Sequence, residues 1–116
     1  MIAATILTGL VALLHIGFLV LEMFFWDHAF GRKTFGMTPE YSKASATLAA
    51  NQGLYNGFLA AGLIWGVSSG ETSIKIFFLV CVLIAGLFGG FTASRRILYL
   101  QALPALIALL AVVLSG

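Results

Sequence analysis

Residues Asn51 to Gly66 read NQGLYNGFLAAGLIWG, and the run changes character partway along. Its opening positions hold Asn51, Gln52, Tyr55 and Asn56, while the remainder is aliphatic or aromatic side chains and glycine. A helix that only faced lipid would not begin with carboxamides, because an amide left without a partner in hydrocarbon costs roughly 4–8 kcal/mol. The stretch reads as a membrane helix that turns one side toward a polar site.

Composition carries the same reading to the rest of the chain. Of 116 residues, 61% are hydrophobic and 9% charged, against about 25% charged in soluble domains. A chain of this length supplies one domain, residues 1–116, whose core is shared with lipid or with neighbouring subunits. The formal net charge of +2 does not indicate a nucleic-acid partner, because the basic residues sit in short connections between apolar runs, where membrane topology accounts for them. Cys81 is the single cysteine and lies in an apolar run; it offers neither a disulfide framework nor a paired-thiol metal site.

Four apolar stretches, at about residues 2–26, 44–67, 74–93 and 97–115, approach the roughly 20 residues needed to span hydrocarbon. The first is read as a membrane helix and not as a secretory signal, since it lacks a basic leading region and contains Glu22. The expected fold is an all-α integral membrane four-helix bundle. Connection 27–43 carries Arg32, Lys33 and Lys43, and the turn before the fourth stretch carries Arg95 and Arg96, whereas the opposite side has only Lys75. Positive charge collects on the cytoplasmic side of short loops, so this asymmetry predicts both termini outside. Gly31, Gly36 and Pro39 are expected breakers in the 27–43 connection, with Thr38-Pro39-Glu40 as a turn or as a cap onto a short interfacial helix.

With that topology, the polar residues of the helices gather in the cytoplasmic half. Glu22 lies just inside Trp26, and His15 is seven residues deeper on the same helical face. Asn51, Gln52 and Tyr55 start the second helix at a level similar to Glu22, and Asn56 comes to a depth similar to His15; Asn51 and Tyr55 share one ridge and Gln52 and Asn56 the next. These six form the candidate ligand-binding or proton-coupling site, with Arg95 and Arg96 as charge partners for Glu22. An ionisable group inside a membrane is a functional candidate by default. Glu22 set at the interface and His15 bonded to one carboxamide would be the structural alternative. His15 and Glu22 alone make a poor metal site, and no zinc pattern, phosphate loop or nucleophile elbow occurs in the chain; no metal or cofactor is expected.

Gly53 with Gly57, and Gly86 with Gly90, have the small-xxx-small spacing that lets helix backbones approach closely. The spacing serves packing within one chain or in a homo-oligomer. His15 followed by LEMFFW at Leu21 to Trp26, and then NQGLYNGFLAAGLIWG, resembles the signature of a small bacterial membrane-protein family, domain of unknown function 1304. The resemblance covers most of the chain and is weaker in the fourth helix. It implies a four-helix protein of the bacterial inner membrane and carries no assigned reaction.

Three function classes follow. The favoured one is binding or transport of a small or amphipathic molecule at a polar intramembrane site open to the cytoplasm. A membrane-embedded enzyme would use Glu22 and His15 as acid and base on a lipid-like substrate. A structural subunit would use the cluster only to hold its helices together. The partners expected are membrane lipids and a small-molecule or lipid ligand. The charge asymmetry yields a direct test: a cysteine placed between Arg32 and Lys43 should be shielded from an impermeant thiol reagent in intact cells. Labelling there, with none near Glu71, would invert the orientation.

Overall fold

The structure, a computed structural model, describes residues 2–115. Its regular elements are α1 (Ile2–Phe24), α2 (Ala29–Phe35), α3 (Pro39–Ser69), α4 (Thr72–Thr92) and α5 (Leu103–Ser115), the last preceded by a π-helical stretch, Leu98–Ala102. The all-helical class indicated by the sequence is the class observed. Among the described residues, three segments are long and apolar enough to cross a membrane: Ile2–Phe24, Thr72–Thr92 and Leu98–Ser115. The second hydropathy stretch, 44–67, belongs to α3. At 31 residues, α3 is about 46 Å long at about 1.5 Å per residue, ample for a span. Length is not what it lacks; Lys43, its serines and the carboxamides dilute its apolar character.

The 27–43 connection contains more helix than hydropathy suggests. Gly31 falls inside α2 instead of breaking it, buried against the backbone of Phe25 and Trp26 so closely that a Cβ would collide with the Phe25 carbonyl. Gly36 ends α2 in the left-handed region, at φ 65°, and the Met37 N–H bonds to the Arg32 carbonyl at 2.9 Å; glycine reaches that conformation without steric cost. Helix α3 then starts at Pro39, ahead of the hydropathy boundary. The Thr38 hydroxyl accepts the Tyr41 N–H at 3.1 Å, and proline at the first helical position sacrifices no hydrogen bond.

The chain divides into two compact units. In the unit made of residues 2–13 and 59–115, the core comprises Ala4, Val11 and Ala12 of α1, Leu63 of α3, Leu79 and Val82 of α4, and Ala105, Ala108 and Val112 of α5. Alanine is the most frequent of these residues, and its small side chain lets backbones lie close. The buried Thr8 hydroxyl donates to the Ala4 carbonyl at 2.8 Å, which removes an unpaired group from that core. Gly62 is covered by the Phe78 ring, Gly90 by Leu98, and Gly86 by the backbone of Ala102. The other unit, residues 14–58, holds the end of α1, α2 and the first part of α3.

The Gly86 contact generates a stability test. A Cβ there would lie 2.5 Å from the Ala102 backbone nitrogen, and backbone cannot swing aside as a flexible side chain can. Gly86→Ala should lower the thermal midpoint in detergent by an amount worth about 1–3 kcal/mol, the usual cost of overpacking. Gly9→Ala meets no atom within 4 Å and should be neutral or mildly stabilising. Equal midpoints for the two variants would show that α4 does not approach Ala102 this closely.

Candidate functional site

The polar residues singled out on the first two apolar stretches all belong to the 14–58 unit. Within it, α1 presents Leu19, Glu22 and Met23 to α3, which answers with Gly53, Asn56 and Gly57. A Cβ on Gly53 would meet Met23 Cγ at 2.6 Å and Glu22 Cβ at 3.1 Å, and one on Gly57 would meet Leu19 Cδ1 at 2.7 Å. The missing side chains let the helices close. Between the two glycines, Asn56 Nδ2 donates to Glu22 Oε1 at 2.6 Å. Asn56 is 5% exposed, and Glu22 is half-buried.

His15 is fully buried and meets Phe18 edge to face, with ring centroids 5.1 Å apart. Its seven-residue offset puts it on the Glu22 face of α1, about 10 Å farther along the axis. Asn51, Gln52 and Tyr55 are exposed, and the Tyr55 ring lies beside Phe58 at 6.1 Å. The structure therefore joins one carboxamide of the expected wall to Glu22 and turns the other two outward. Arg95 and Arg96 are exposed in the turn after α4; the ion pair found among the described residues is Arg32 with Asp27, at 3.1 Å. No group of three or more histidine, cysteine or acidic side chains is placed to hold a metal ion among the described residues.

A second polar network was not apparent in the sequence. Trp26 Nε1 donates to Ser45 Oγ at 2.9 Å, and that hydroxyl donates to the Tyr41 carbonyl at 2.6 Å. Ser42 is fully buried, and its Oγ donates to Asp27 Oδ1 at 2.7 Å, the same oxygen that accepts Arg32 Nη1 at 3.1 Å. Trp26 and Asp27 lie in the turn just after α1, and both tie that turn to the start of α3. The available signal was the Ser42 and Ser45 spacing, since residues three apart share a helical face. These bonds fix the first turns of α3 and with them the register that carries Asn56 to Glu22.

What this arrangement can do is hold a carboxyl group within an apolar helix with one oxygen fixed by an amide. Its stability test compares inward and outward carboxamides. Asn56→Leu removes the donor to Glu22 and should destabilise by roughly 1–3 kcal/mol, the cost of stranding a buried polar group. Asn51→Leu alters an exposed side chain and should leave the thermal midpoint near that of the wild type. The reverse order would require Asn51, and not Asn56, to face α1.

Comparison with known proteins places the chain in a family. Residues 9–113 match the family model described as Protein of unknown function (DUF1304). The chain is also similar to the uncharacterized protein YpaA of Lactococcus lactis subsp. lactis (strain IL1403), 33% identical over 113 residues that cover 94% of this chain and 95% of the relative. No solved structure matches the chain. The match extends over both helices that build the Glu22 and Asn56 contact, and the chain belongs to the DUF1304 family of proteins of unknown function.

Proposed function

We propose that this protein is a four-span protein of the bacterial inner membrane, with both termini outside, that binds or transports a small amphipathic cation through Glu22. The three apolar helices support a membrane location. The basic residues of the two proposed cytoplasmic connections support the orientation, and α3 becomes the fourth span if its polar groups meet partners or water.

The observation that carries the reading is the 2.6 Å bond between Glu22 and Asn56. One oxygen of the carboxyl is oriented by the amide; a carboxylate has acceptor capacity on its second oxygen for a cationic group or a proton. The apolar surroundings suit the hydrophobic remainder of an amphipathic ligand. Acid and base acting together on one substrate is the weaker alternative. His15 is fully buried with its ring against Phe18, so a substrate held at Glu22 would have to displace that packing to reach the imidazole.

Glu22→Gln tests the reading because it preserves shape and the capacity to accept the Asn56 hydrogen bond while removing the charge. The variant should fold with a thermal transition close to wild type. Its binding of lipophilic ammonium and phosphonium cations, measured in detergent by isothermal titration, should weaken about tenfold to hundredfold, the worth of one charge-assisted contact. Wild-type affinity in Glu22→Gln would remove this residue from the function. No binding across the panel by the wild type would remove the cationic ligand.

A further inference from the structure

We infer that the turn between α4 and α5 is a binding site for the phosphate group of an anionic membrane phospholipid. The turn lies at one end of two span-length apolar segments, Thr72–Thr92 and Leu98–Ser115, so in a bilayer it comes to the headgroup level. A depression of about 360 Å³ opens there, lined by Gly90, Thr92, Ser94, Arg95 and Leu98 among others. Arg95 and its neighbour Arg96 are both exposed.

The turn is held in place without using either guanidinium. The Ala93 and Ser94 N–H groups both bond to the Gly89 carbonyl, at 2.8 and 3.1 Å. Ser94 Oγ accepts the Arg96 N–H at 3.2 Å, and the Thr92 hydroxyl donates to the Phe88 carbonyl at 2.6 Å. The ion pair among the described residues involves Arg32, not these arginines. Paired guanidinium groups suit phosphate oxygens through charge-assisted hydrogen bonds.

The surroundings distinguish a lipid from a free anion. Phe88, Phe91 and Tyr99 are 71%, 79% and 67% exposed beside the turn, an aromatic fringe of the kind found where helices meet headgroups. Below it, Leu100 and Leu103 are also exposed and supply apolar surface for acyl chains. An inorganic phosphate would use the arginines and ignore that surface; a phospholipid uses both.

The test uses delipidated full-length protein in dodecylmaltoside, with bound lipid counted by native mass spectrometry and stability followed by thermal unfolding. Dioleoylphosphatidylglycerol should bind and raise the midpoint, and dioleoylphosphatidylcholine should do so much less. In R95Q/R96Q the phosphatidylglycerol affinity should fall about twentyfold or more, at roughly fivefold per basic residue. K33Q/K43Q removes the same charge from the other connection and should bind as the wild type does. If R95Q/R96Q does not fold, R95Q alone should show the smaller loss and R95K should recover most of it. Equal binding of phosphatidylglycerol by R95Q/R96Q and wild type overturns the site, as does equal loss in K33Q/K43Q. Equal stabilisation by phosphatidylcholine overturns the charge requirement, and full stabilisation by inorganic phosphate reassigns the turn to a free anion.

Discussion

Close backbone approach at glycine is the constraint on which the polar contact depends. An asparagine side chain is short, so its amide reaches a carboxyl on a neighbouring helix only if the two helices nearly touch. Gly53 and Gly57 flank Asn56 on α3 and lie against Met23, Glu22 and Leu19, and the 2.6 Å bond to Glu22 is the consequence. Within a membrane, helices gain no hydrophobic free energy by meeting one another, because lipid is as apolar as leucine. What remains is dispersion from tight packing and the hydrogen bond that tight packing permits. The same logic governs α4, where Gly86 lies on the backbone of Ala102. That contact falls at the end of the π-helical stretch Leu98–Ala102, whose wider turn accompanies the local change of backbone geometry.

Register is the second requirement, and the network at the start of α3 supplies it. A helix slides or rotates on its neighbour unless something other than apolar contact sets its position. The bonds from Trp26 to Ser45 and from Ser42 to Asp27 tie the first turns of α3 to the turn that follows α1. A rotation of α3 by one residue, about 100°, would move Asn56 off the Glu22 face and replace it with Tyr55 or Gly57. The serines thus act on Glu22 without touching it.

Hydropathy and glycine spacing made much of this architecture legible. The apolar runs at 2–26 and 74–93 overlap α1 and α4, and the run at 97–115 overlaps the π-helical stretch and α5; a long run of aliphatic side chains has few alternatives to a helix. At Gly53, Gly57, Gly86 and Gly90, glycines that share small-xxx-small spacing, an added Cβ would meet a neighbouring helix. Helix α2 was not legible: AFGRKTF is seven residues long and carries a glycine, so its helicity rests on the Gly36 cap and the packing of Gly31. The direction of the carboxamides was hidden for a geometric reason. Asn51, Gln52, Tyr55 and Asn56 are spread by 100° steps around more than one face of the helix, and a pattern that covers two faces cannot say which one is buried. The choice is made by the glycines beside Asn56 and by the serines about three to four turns earlier.

The exposed carboxamides still need partners, and the length of α3 bears on where they find them. In the proposed topology, a span of about 20 residues counted back from the end of α3 at Ser69 reaches about residue 50. The earlier turns, with Tyr41, Ser42 and Lys43, then lie in the headgroup region. Asn51 and Gln52 fall at the boundary, where water can satisfy outward-facing amides that hydrocarbon would penalise. Asn56 and Glu22 lie more than a turn deeper. At that depth water no longer solvates both groups freely, so their mutual hydrogen bond replaces a solvent bond that would otherwise be lost. One polar segment thereby divides by depth: its outer residues are compatible with an aqueous entrance, and its inner residue orients the carboxyl group that the entrance would serve.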